Sequence, residues 1–315
     1  MARPIGSTHW LDKRRRFLYA RPMKHDSRRQ AMLAGLAAIV LWGALATLSV
    51  AAGPIPPFQM VAMTFALGAL IGIVRARRRG LAWSALLRWP AAVWLVGVGG
   101  LFGYHALYFA ALQLAPPAEA NLVNYLWPLL IVLLSAPLAA ENERGRLAWT
   151  HLVGAALGFA GVLLLALGRG VSFQGDHALG YVLALGCAFT WSIYSVLSRR
   201  LGETPTDAIA SFCAASALLS LACHLLFERT VWPVSPTAWL AVVALGLGPA
   251  GAAFYLWDHA VKRGDIRALG ALSYATPILS TALLIAFGLA APTGTLIVAA
   301  LLVTGGAVLA SRNLW

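Results

Sequence analysis

The residues of this chain best suited to hold a ligand are rings and amides rather than charges. The stretch Asn121-Leu122-Val123-Asn124-Tyr125-Leu126-Trp127-Pro128 places Asn121, Asn124 and Tyr125 on roughly one helical face, because residues three and four apart are neighbours on a helix. Trp127 stands off that face, but the break expected at Pro128 can turn it inward. Further rings and hydroxyls recur at mid-helix positions: Trp42, Trp191 with Tyr194, Tyr255 and Trp257, and Ser273 with Tyr274 and Thr276. His105 lies between Tyr104 and Tyr108, two residues past Gly103. Indole faces stack on flat side chains or attract an ammonium, worth about 0.5 to 2 kcal/mol. Asn121 and Asn124 are expected to hydrogen-bond a carboxylate without carrying full charge. Such groups suit a zwitterion with an apolar or aromatic body.

Chemistry that makes or breaks bonds finds little support. No paired carboxylates, His-Glu-x-x-His helix or nucleophile with an adjacent base occurs, so an embedded enzyme is disfavoured, and no cofactor or metal is expected. Cys187, Cys213 and Cys223 lack metal-ligand spacing and read as small apolar core residues. Ionisable groups within apolar runs are few: Glu119, Asp207 and Asp258 near helix ends, and His105 and His224 deeper in. His224 is expected to pack, whereas His105 is a candidate for the wall of a cavity.

These residues sit in long apolar runs. The 315 residues are 60% hydrophobic with a mean hydropathy of +0.76, well beyond a soluble chain. About 20 residues of helix cross roughly 30 Å of hydrocarbon. Ten runs reach or approach that length: 31–51, 57–74, 90–112, 118–139, 147–167, 179–198, 207–227, 237–257, 266–290 and 293–310. Runs of this length suit helices rather than barrel strands, so the expected class is an all-α membrane protein.

The net charge of +13 argues for nucleic acid only until its distribution is read. Assigned alternately to the two sides of the ten runs, Lys and Arg number 22 against 2, which predicts that both termini are cytoplasmic. The expected partners are therefore a lipid bilayer and a small solute, with no nucleic acid and no obligate protein partner. The first 30 residues read as a basic cytoplasmic tail, since the charges following Arg14-Arg15-Arg16 argue against an export signal. The first helix then serves as the uncleaved targeting segment. Trp89, Trp149, Trp232, Trp239 and Trp315 fall near run ends and read as interface anchors.

An offset of 149 residues aligns the chain with itself. It brings Trp42 onto Trp191, Gly53 onto Gly202, Tyr125 onto Tyr274 and Pro128 onto Pro277, with Gly100 facing Pro249. Each half then holds five helices, an odd number, so the second half must enter the membrane from the opposite side. The expected organisation is a tail over 1–30 and two inverted five-helix repeats, 31–168 and 178–312. Such repeats are a recurring basis for carriers. The paired positions Pro128, Pro277, Gly100 and Pro249 are expected to interrupt helices and act as hinges.

Two five-helix halves, the Asn-Tyr-Leu-Trp-Pro run at 124–128, Ala188-Phe189-Thr190-Trp191 with Tyr194, and Ser273-Tyr274-Ala275-Thr276-Pro277 together resemble the drug/metabolite transporter superfamily, over about residues 30–311. Within it the chain is similar to EamA-type transporters, and most to the YddG group of aromatic amino acid exporters. That resemblance implies a bacterial inner-membrane exporter of aromatic and other apolar amino acids working by alternating access, with Tyr125, Trp127 and Trp191 lining a central cavity. The group's pattern offers no role for the long basic tail. The rival within the same superfamily is a drug or other metabolite exporter, but lipophilic-cation carriers call for a buried carboxylate that mid-membrane positions here lack. The same scarcity makes a facilitator at least as good an expectation as a proton antiporter, for which Glu119, His105 and Asp258 are the relay candidates.

Overall fold

In the computed structural model the described residues are 25–312, apart from 81, 139–147, 169, 171, 203 and 290. Residues 1–24 of the expected tail, and Trp315, lie outside them. Among the described residues there is no strand, and nine helices are long and apolar enough to cross a membrane. They are α1 (Ser27–Ala52), α2 (Pro57–Arg78), α3 (Ala91–Leu114), α4 (Pro117–Leu134), α5 (Trp149–Leu167), α6 (Gly175–Arg200), α7 (Ala208–Phe227), α8 (Pro236–Arg263) and α9 (Ile266–Ala286). A further apolar helix, α10 (Gly294–Ala310), is shorter. It starts late because Thr293 after Pro292 is extended (φ −128°, ψ 149°). At the other extreme α8 runs past the expected Trp257 to Arg263, since its polar last turns satisfy one another: Lys262 pairs with Asp258 at 2.8 Å.

The helices pair as α1 with α8, α2 with α7, α3 with α6, α4 with α6 and α9, and α5 with α10. Small residues permit the close approaches on which membrane helices rely, lipid being as apolar as any side chain. The α5–α10 contact shows this most clearly. A Cβ at Gly306 would sit 3.1 Å from the backbone nitrogen of Gly158, so the two backbones touch where a side chain would hold them apart. Outward surfaces carry Leu95, Leu225, Leu226, Leu240 and Leu301, all well exposed, as a lipid-facing bundle requires. Trp149, Trp232 and Trp239 are also exposed, in keeping with an anchoring role.

Four helices are interrupted. α1 breaks at Ala44, α4 at Tyr125–Leu126, α9 at Ser273–Tyr274, and α8 holds a π-helical turn over Gly248–Ala252. In α4 and α9 the break is followed at once by Pro128 and Pro277, which bring no N–H to the preceding turn. Pro249 lies within the π turn. Gly100 departs from its expected role: α3 is continuous from Ala91 to Leu114. Its glycine serves packing instead, because a Cβ there would come within 2.6 Å of the Tyr194 side chain.

Candidate functional site

A cavity of about 670 Å³ lies between the helices, within the range of small-molecule sites. Its mouth is at the end of the bundle where α1 ends and α2 begins, for the exposed residues Gly53, Pro57 and Ala118 belong to its wall. Its floor is aromatic. Trp42 from α1 meets Trp191 from α6 edge-on at 5.5 Å and Trp127 from α4 at 6.3 Å, and Trp127 and Trp191 are 6.3 Å apart. Phe254 from α8 closes the ring at 6.3 Å from Trp42. Edge-to-face pairs of this kind contribute about 0.5 to 1.5 kcal/mol each beyond the area they bury.

The local breaks explain why these rings point inward. A π turn adds a residue to the helix circuit and leaves carbonyls without their usual partner. In α8 the indole nitrogen of Trp42 donates to the Pro249 carbonyl, within the π turn, at 3.1 Å, which fixes the ring across the α1–α8 contact. In α4 the Trp127 carbonyl lies 2.9 Å from the hydroxyl of Ser192, whose one proton is shared with the Ala188 carbonyl at 2.7 Å, so the broken helix meets α6 there. The interruption before Trp127 turns it onto the same side as Asn121, Asn124 and Tyr125, and all four belong to the wall.

The side wall is a ladder of phenols and amides. Tyr104 and Tyr108 stack at 6.0 Å with planes 6° apart. Tyr108 donates its hydroxyl to the Asn121 side-chain oxygen at 2.6 Å, and Asn124 donates its amide to the Tyr104 oxygen at 3.0 Å. Asn121 in turn donates one amide hydrogen to the Pro117 carbonyl at 2.8 Å. His105 lies against Phe65 at 5.0 Å, and its Nδ1 lies 2.7 Å from the Leu101 carbonyl. Among the wall residues there is no Asp, Glu, Lys or Arg.

Eight of the ten residues expected at a binding site therefore share one wall: Trp42, Tyr104, His105, Asn121, Asn124, Tyr125, Trp127 and Trp191. Tyr194 and Tyr274 do not. Tyr194, 2% exposed, sits a turn beyond Trp191 and fills the space over Gly100. Tyr274, fully buried, packs against Gly158 and lies 6.3 Å from Phe159. Their helical phase carries both rings into helix contacts, which spacing alone does not reveal. Pro277 reaches the wall, whereas Pro128 stays behind it.

Sequence reasoning missed Phe254, Phe109 and the whole contribution of α2, where Met60, Val61 and Thr64 face the cavity. Val61 and Thr64 carry no signal to separate them from ordinary packing residues. Of the relay candidates, His105 is on the wall, and the two acids are otherwise occupied. Glu119, 7% exposed, accepts from the backbone of Ser172 at 3.1 Å, and Asp258 accepts from Thr206 and pairs with Lys262. His224 also makes polar contacts beyond packing, with its Nδ1 at 2.9 Å from Glu228 and its Nε2 at 2.9 Å from Thr230. Among the described residues no group of three His, Cys, Asp or Glu could hold a metal.

The family model of the EamA-like transporter family matches residues 29–167 and again 178–312. A relative in Ancylobacter novellus, the aromatic amino acid exporter YddG, is 53% identical over 287 residues, covering 90% of this chain and 98% of its own. The aromatic amino acid exporter YddG of Salmonella typhimurium is 26% identical over 81% of this chain and 87% of its own. A solved crystal structure, 51% identical, superposes with a TM-score of 0.86 over 91% of this chain and 98% of its own.

Proposed function

The chain belongs to the EamA-like transporter family, and from that premise we propose that it exports aromatic and other apolar amino acids across a bacterial inner membrane by alternating access. The observation that carries this reading is the cavity itself: three indoles and a phenyl ring make its floor, phenols and amides its side, and no charged side chain intrudes. An apolar side chain would rest on the rings while its zwitterionic end meets neutral dipoles. The printed name of the 53% identical relative supports the same substrate class.

Alternating access rests on two inverted halves, 31–168 and 178–312, with Tyr125, Trp127 and Trp191 in the central path. The pattern of contacts supports it. If each helix of the first half corresponds to the one five places later, the α1–α8 contact exchanges with α3–α6, while α2–α7, α4–α9 and α5–α10 map onto themselves. That is the pattern a two-fold relation between halves requires. With ten spans and both termini cytoplasmic, as the 22 to 2 charge asymmetry supports, the cavity mouth faces outward. A wall without Asp, Glu, Lys or Arg, on which His105 is the single relay candidate, favours a facilitator running down the amino acid gradient.

Uptake of labelled tryptophan, phenylalanine, threonine and an organic cation dye into vesicles holding the purified chain tests this reading. Tryptophan and phenylalanine are expected to move, and Trp127→Ala or Trp191→Ala to slow both severely. Movement of the dye alone overturns the assignment. Counterflow with and without a pH gradient separates the coupling modes, strict dependence on the gradient defeating the facilitator.

A further inference from the structure

Native interiors rarely leave a buried polar atom without a partner, because each such atom loses its water and gains nothing in return. Among the described residues, two of the unpartnered buried side-chain atoms belong to the cavity wall: the amide oxygen of Asn124 and the hydroxyl of Thr276. Two of their neighbours are already engaged. Asn121 is engaged through both its amide oxygen and its amide nitrogen, and Thr281 donates to the Pro277 carbonyl at 2.8 Å, the usual recourse of a helical threonine. Thr276 makes no such bond to its own helix, so its proton is free to turn outward. Asn124, 4% exposed, donates to Tyr104 and is thereby held with its oxygen left over as an acceptor.

Both residues lie at helix breaks, Asn124 immediately before the interruption of α4 and Thr276 just after that of α9. The Asn124 oxygen can take hydrogen bonds only from a donor. The Thr276 hydroxyl can give one to an anion. We propose that these two atoms divide the polar end of the solute between them, Asn124 receiving an ammonium and Thr276 donating to a carboxylate, and so restrict the carrier to zwitterions. The inference rests on the amino acid reading given above and departs from the expectation that both asparagines serve a carboxylate. It makes Asn124 and Thr276 specificity-determining residues.

The test uses phenylalanine counterflow in vesicles holding the full chain, inhibited by phenylalanine, by 2-phenylethylamine, which lacks the carboxylate, and by 3-phenylpropionate, which lacks the ammonium. Each one-ended analogue is expected to inhibit the wild type measurably but about tenfold less well than phenylalanine, the worth of one hydrogen bond to a charged group. Thr276→Val should weaken phenylalanine and phenylpropionate and spare phenylethylamine, with Thr276→Ser restoring both. Asn124→Leu should weaken phenylalanine and phenylethylamine and spare phenylpropionate. Should Asn124→Leu fail to fold, Asn124→Asp keeps the acceptor and should make phenylethylamine the better inhibitor. Variants that shift both analogues alike, or a wild type that carries phenylalanine yet ignores both, overturn the division. A wild type that carries no amino acid at all defeats the transport reading instead.

Discussion

The two ends of the bundle are built from different chemistry. At the mouth, the cavity wall holds no charged group, and a single acid, Glu228, ties the end of α7 to the start of α2 by accepting from the Phe58 and Gln59 amides at 2.9 and 3.1 Å. At the opposite end the helices are drawn together by charged ties. Arg79 and Arg75 of α2 pair with Asp207 at 3.1 and 3.5 Å, and Arg28 pairs with Asp265 at 2.9 Å. Arg199 of α6 donates to the carbonyls of Val261 and Gly264 at the end of α8, where cations complement the helix dipole. Lys262 and Asp258, 5% and 1% exposed at their side chains, are buried with Thr206 beside them. Between the ends, Trp257 donates to Ser195 at 3.1 Å beneath the aromatic floor. A cavity needs helices that stay separated, whereas a seal needs bonds that water can replace one by one when it opens. Ion pairs near a membrane surface meet the second need, and bulky rings brought inward at helix breaks meet the first.

The largest contrast should appear in accessibility. In a cysteine-free background, Ser280→Cys on the cavity wall is expected to react quickly with an impermeant maleimide applied at the mouth, and Ser195→Cys, fully buried beneath the floor, to stay nearly inert. Equal reactivity would erase the distinction between the ends. Next in size is the buried pair: Lys262→Met leaves the Asp258 carboxylate uncompensated, which costs about 3 to 5 kcal/mol. The double change with Asp258→Asn should recover most of that in thermal unfolding in detergent. A single variant no worse than the double would show that the pair does not hold the sealed end.

Smaller effects sharpen the picture along α3. Gly100→Leu drives a side chain into Tyr194 and should cost about 1 to 3 kcal/mol. Gly99→Leu, whose Cβ would meet nothing within 4 Å, should stay within about 0.5 kcal/mol of the wild type. Matching losses at both would mean that the helix, not the ring contact, resists the change. Trp42→Phe keeps the floor apolar but removes the donor to the Pro249 carbonyl, a loss of about 1 kcal/mol. Its melting temperature should fall slightly, and phenylalanine transport should slow if the π turn of α8 is held by that bond.

Much of this was legible in the chain. Apolar length decided the membrane class, because lipid leaves unpaired backbone no alternative to a helix or a closed barrel. Proline at matched positions located two of the breaks, since a residue without an N–H inside a helix removes a backbone bond from the preceding turn. Asn121, Asn124 and Tyr125 were found by spacing, which fixes a shared face irrespective of neighbours. Other features were beyond reach. Gly100 and Pro249 align in the repeat, yet only Pro249 lies in an interruption, because glycine permits a break without requiring one. Tyr194 and Tyr274 have the same residue type as Tyr104 and Tyr108 but turn into helix contacts.

The sequence by itself determined the all-helical membrane class, the lack of Asp, Glu, Lys and Arg at mid-membrane and the breaks beside Pro128, Pro249 and Pro277, for these depend on local chemistry and on solvent. Only the tertiary structure decided which rings meet across helices to form the floor, which end is sealed by ion pairs, and which two polar atoms of the cavity wall are left without partners. Each of those is a relation between residues far apart in the chain, as far as the 237 positions between Arg28 and Asp265, set by how the helices pack.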